Sequence, residues 1–92
     1  MDEYLVTKDQ QFDGFRQVWH ERSDGVLHGS YRVYWGAGPV VCMDGQYEAG
    51  SQEGIWTYWD RDGKVERQSR FQHDHEIEKR TAPPWFVDVH DQ

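Results

Sequence analysis

The chain is short of the residues that build helix bundles, with two leucines and two isoleucines among its 92 positions. Packed helical cores draw heavily on leucine, so this scarcity argues against an all-helical domain. Lysine is scarce as well, at three residues, and 17 acids against 10 bases give a formal charge of −7. A surface with so few cations is poorly equipped to neutralise a run of phosphates, which excludes nucleic acid and an anionic membrane as expected partners. No stretch approaches a membrane span in length and apolarity, and residues 1 to 12 contain no apolar core of the signal-peptide kind, so the expectation is a soluble, cytoplasmic protein. The one cysteine, Cys42, cannot form an internal disulfide; between Val41 and Met43 it reads as a small buried hydrophobe. A chain of this length is one domain, which rules out a two-domain enzyme.

What the chain does have is 14 aromatics and nine valines, residues that suit a pleated surface, so the fold class expected is all-β. Its charge is spread evenly, with seven acids to four bases in residues 1 to 46 and ten to six in residues 47 to 92. The electrostatic match for such a surface is a basic protein. Four glycines follow aspartate, at Asp13-Gly14, Asp24-Gly25, Asp44-Gly45 and Asp62-Gly63, and Asp-Gly between apolar runs signals a tight hairpin turn. The runs between them alternate, as in Tyr31 to Trp35 and Trp56 to Trp59. The charged segment from Asp74 to Thr81 is expected to form one or two helical turns. Pro83-Pro84 then forces extension, which puts Trp85, Val87 and Val89 on one face of a strand.

The sequence also repeats itself. A shift of 25 residues places Gly25 on Gly50, Gly29 on Gly54, Tyr31 on Trp56, Val33 on Tyr58, Tyr34 on Trp59, Gly38 on Gly63 and Val40 on Val65. Each copy reads as a turn, a strand, a glycine-closed loop and a returning strand, with Gly38 and Gly63 expected in equivalent positions of positive φ. A looser copy starts at Gly14, and a fragment at Phe71-Gln72-His73-Asp74 lacks the glycines.

Across residues 24 to 71, DGVLHGSYRVYWGAGPVVCMDGQYEAGSQEGIWTYWDRDGKVERQSRF, the glycine spacing and aromatic identities resemble MORN-type repeats, and more closely the YwqK-type antitoxin family built from MORN-like units. The resemblance implies tandem antiparallel hairpins in an elongated curved sheet. It also implies a protein that binds a cognate toxin as its antidote and has no catalysis of its own. The organisation expected is an N-terminal segment over 1 to 13, hairpin repeats over 14 to 71, and a C-terminal cap over 72 to 92.

No cluster in the sequence has the spacing of an active site, and neither a cofactor nor a metal is expected. His73 and His75 form a His-x-His element, with His90 further on, but no third ligand has a defining position. Cys42 lies in no nucleophile motif. Tyr31, Trp56 and Tyr58 recur in register and are expected to pack in the core. Tyr34 and Trp59 alternate to the opposite face and, with Glu48, Asp60, Asp62 and Glu66 as an acidic rim, are the candidate partner-binding residues. The function expected is neutralisation of a toxin by occluding its basic cleft; the alternative is a non-catalytic MORN-like scaffold or adaptor for protein or lipid.

Overall fold

The computed structural model describes residues 5 to 36 and 38 to 87. Within them the chain forms seven strands: β1 (Leu5–Phe12), β2 (Phe15–Arg22), β3 (Leu27–Trp35), β4 (Val41–Glu48), β5 (Ser51–Trp59), β6 (Val65–Gln72) and β7 (His75–Arg80). They lie in one antiparallel sheet in chain order, each paired only with its sequence neighbours. β1 and β7 do not meet, so the sheet is open, and its principal dimensions are 40 × 31 × 20 Å. The all-β array of hairpins expected from composition and repeats is the architecture the chain adopts.

The turns form where the backbone can reach positive φ. Two-residue turns use Gly14 (φ 77°), Ala49 and Gly50 (49° and 90°), and His73 and Asp74 (49° and 69°). The β5–β6 loop is shaped by Asp60, whose carboxylate accepts the N–H groups of Asp62 (2.9 Å) and Lys64 (3.0 Å). Three of the four Asp-Gly pairs lie in turns, but Asp44-Gly45 does not: it sits inside β4. Gly45 pairs with Tyr31, and a Cβ on it would stand 2.1 Å from Cδ2 of Trp56. This glycine makes room for an aromatic ring rather than reversing the chain.

The repeat is real, with one residue of slippage. Gly29 pairs with Tyr47 and Gly54 with Phe71, while Tyr34 pairs with Val41 and Trp59 with Val65. Outgoing strands are therefore related by 25 residues and returning strands by 24, because the first hairpin loop is one residue longer. The expected equivalence of Gly38 with Gly63 fails accordingly. Gly63 has φ 85°, Gly38 lies outside the left-handed region, and the left-handed glycine of the first loop is Gly36 (φ 57°).

The β4–β5 and β6–β7 turns also dock on the strand before their hairpins. Gly50 N–H donates to Leu27 O (2.8 Å), and Asp74 N–H donates to Gln52 O (3.1 Å) one repeat later. Beside them Ala49 N–H donates to His28 Nδ1 and His73 N–H to Glu53 Oε1, both at 3.0 Å. The glycine-free fragment at Phe71 to Asp74 thus opens a further copy.

Two expectations for the C-terminal region are overturned. Asp74 to Thr81 is not helical: Asp74 closes a turn and His75–Arg80 is β7, held to β6 by Arg70 against Glu78 (3.2 Å) and by Ser69 against Glu76. Cross-strand partners outweigh the helix preference of a charged segment that has no apolar period of its own. Trp85 to Val87 form no strand, and Val89 lies outside the described residues. Phe86 makes the contact instead, its N–H donating to Gln68 Oε1 (2.6 Å) and its ring lying under Arg80 (4.1 Å) and Arg70 (5.0 Å).

The core is a strip along the sheet. Trp56 is 1% exposed, with its ring 5.7 Å from Tyr31, 5.3 Å from Tyr47 and 6.0 Å from Phe71. Val33, Val41 and Trp59 are buried too. Two buried polar residues satisfy each other, the Gln68 amide donating to Thr57 Oγ1 at 3.0 Å.

Candidate functional site

One end of the sheet, carrying the β3–β4 and β5–β6 loops, holds an open depression of about 470 Å3 walled by Trp35, Tyr58, Trp59, Glu66 and Arg67, with Cys42 beside them. Two arginines lie on its aromatic walls: Arg61 is 4.4 Å from the Trp35 ring centroid and Arg67 is 4.1 Å from that of Tyr58. Such stacking holds a guanidinium against an apolar surface while leaving its edge free to donate. The Trp35 indole N–H donates to Asp60 O (3.2 Å) and ties the two loops together. Burial pushes the Cys42 thiol above its ordinary pKa, with the Arg61 charge pulling it partly back. A thiol so placed is mostly protonated at neutral pH and is a weak nucleophile.

The six candidate binding residues do not form one surface. Trp59 is 8% exposed, and its buried indole N–H has no acceptor among the described residues, so this side chain belongs to the core. It lines the depression together with Tyr58. The register between β5 and β6 slips between Tyr58 and Trp59, where Glu66 is the extra residue on β6. Tyr34 is half-buried beneath Arg16, at 5.3 Å, and Arg16 makes a two-pronged contact with Asp9 (2.7 and 3.0 Å). That hydrogen bond holds the Asp9 carboxyl below the usual range. Tyr34 lies outside the walls of the depression.

The four acids divide by role. Asp60 is engaged in its own loop, whereas Glu48, Asp62 and Glu66 are exposed and their side chains make no hydrogen bond or ion pair among the described residues; Asp13 in the β1–β2 turn shares that state. Asp13, Asp62 and Glu66 lie toward the end of the sheet that carries the depression, and Glu48 lies at the other. Arg16, Arg32 and Arg70 are meanwhile neutralised by Asp9, Asp44 and Glu78. His73 Nδ1 sits 3.1 Å from Glu53, and among the described residues no group of three or more His, Cys, Asp or Glu side chains could hold a metal ion; His90 lies outside them.

The aromatic–arginine walls were not legible in the sequence, because they join residues on different strands and depend on register. The chain matches no protein-family model, no curated protein and no solved structure.

Proposed function

We propose that this chain is a non-catalytic antitoxin or immunity protein that binds a cognate toxin and neutralises it by seating an acidic, aromatic surface in the toxin's basic cleft. The observation that carries this reading is the division of charge. Arginines lie on aromatic rings or pair with carboxylates within the sheet, while the side chains of Asp13, Glu48, Asp62 and Glu66 project without a hydrogen-bond or ion-pair partner among the described residues. Lys8, Lys64 and Lys79 are exposed as well, so it is the acid excess of the whole chain, −7, that favours rapid encounter with a positive cleft.

The test is a search for a toxic effector encoded beside this chain and co-expression with it, followed by kinetic binding measurements. Suppressed toxicity and a stable complex are expected. Asp62→Lys with Glu66→Lys is expected to slow association and flatten its salt dependence. Tyr34→Ala is expected to weaken binding by about 2 kcal/mol if the ring is central to the contact. Trp59→Ala is a poor probe, since it would empty the core. Toxicity unaffected by co-expression would refute the proposal.

A further inference from the structure

The chain contains no asparagine but four Asp-Gly pairs, and the fold treats the four very differently. In an Asp-Gly pair the glycine backbone nitrogen can attack Cγ of the protonated aspartate side chain. The N–Cγ bond forms, the C–OH bond breaks, one water leaves, and a five-membered succinimide results. Water then adds back at either imide carbonyl, restoring aspartate or giving isoaspartate, whose backbone runs through Cβ. No oxidant or other reactant is consumed. Glycine permits the attack because it has no side chain to obstruct the approach. A hydrogen bond on the glycine N–H or on the carboxylate opposes it, as does a backbone held in a ladder.

Three of the pairs are held in this way. The Asp24 carboxylate accepts the Val26 N–H (3.0 Å), and Gly25 N–H donates to Arg22 O (2.8 Å). Asp44 is ion-paired with Arg32 inside β4, and Gly45 is buried beneath Trp56. Gly63 is buried with its N–H donating to Asp60 O (3.1 Å), while the N–H of Asp62 is held by the Asp60 carboxylate.

Asp13-Gly14 alone combines an unbonded carboxylate with an unbonded glycine N–H; Asp24-Gly25 is equally exposed and uncrowded but is held by its hydrogen bonds. Both residues of the first pair are exposed, and among the described residues the Asp13 carboxylate has no hydrogen bond or ion pair and the Gly14 N–H has no acceptor. A Cβ built on Gly14 would meet no atom within 4 Å, so the turn has room to rearrange. We propose that Asp13 is a site of spontaneous modification, where the folded chain isomerises to isoaspartate while Asp24, Asp44 and Asp62 are protected. The product carries one more backbone carbon in a two-residue turn. That turn also anchors the next hairpin loop, since Gly14 O accepts the Gly36 N–H at 2.8 Å, and the lengthened turn loses this contact.

The experiment is prolonged incubation of the full native chain at neutral pH and physiological temperature, with a parallel sample in concentrated urea. Proteolysis and electron-transfer fragmentation then separate aspartate from isoaspartate at each pair. Native protein is expected to accumulate isoaspartate at position 13 alone, and the unfolded chain at all four positions. Hydrogen exchange on the aged native protein is expected to show the Gly36 N–H unprotected, and Asp13→Glu, which cannot close the five-membered ring, to abolish the change. Isoaspartate arising at 24, 44 or 62 as fast as at 13 in native protein would overturn the inference, as would its absence at 13 under conditions where the unfolded chain reacts there.

Discussion

Gly45→Ala is the sharpest test of the packing. An added Cβ would lie 2.1, 2.3 and 2.5 Å from three ring atoms of Trp56, against an ordinary contact of about 3.5–4.0 Å. The indole must retreat by more than an ångström, yet it is 1% exposed and bounded by the rings of Tyr31, Tyr47 and Phe71. Overpacking of this kind costs about 1–3 kcal/mol, and displacing the indole altogether approaches the roughly 3–5 kcal/mol of a Trp deletion. The expected loss is therefore about 2–4 kcal/mol, a large part of the stability of a small domain. With a urea slope of about 1–3 kcal/mol per molar, the midpoint is expected to fall by about 0.7–4 M in far-UV circular dichroism. Gly38→Ala is the control. It has ordinary backbone φ and meets only Trp35 O at 3.9 Å, so it is expected to be neutral or to stabilise by about 0.4–1 kcal/mol. A Gly45→Ala midpoint equal to or above wild type would refute the reasoning.

Three further outcomes are expected. Gly63→Val is expected to destabilise by more than about 1 kcal/mol in urea, because a β-branched residue must adopt φ 85° there, and Gly38→Val by clearly less. Asp60→Ala removes two backbone contacts to a carboxylate and is expected to cost about 2 kcal/mol, whereas Asp62→Ala leaves the midpoint nearly unchanged. Burial raises the pKa of Tyr31 and Tyr47 above the ordinary 10.0, so the folded state favours their protonated form. That contribution is complete below pH 10 and is lost as pH rises through the higher folded values; phenolate absorbance is expected to show these two tyrosines titrating late, at the onset of alkaline unfolding.

Composition and periodicity were enough to reach the all-β hairpin array, because aromatic and valine content and turn residues act locally. They also placed Tyr31 and Trp56 in register, since the 25-residue spacing of the outgoing strands survives in the fold. What escaped them depends on partners distant in sequence. Asp44-Gly45 has the same letters as three true turns, and only the ring of Trp56 above it explains the glycine. The helix expected over Asp74 to Thr81 ignored the open edge of β6, whose Ser69 and Arg70 supplied partners for Glu76 and Glu78. Trp59, placed on a binding face by alternation, is 8% exposed, and that burial depends on neighbours which alternation alone does not name.

The chain-order topology has a kinetic consequence. The most widely separated ladder pair, Phe15 with Trp35, spans 20 residues of sequence, so no strand must wait for a distant partner before it can pair. Folding speed follows the sequence separation of contacts, and this sheet is expected to fold faster than all-β domains whose strands cross over. The same locality sets the order of opening. β1 and β7 each have a single neighbour, and their amides are expected to exchange first, with protection rising inward to β4 and β5 around Trp56.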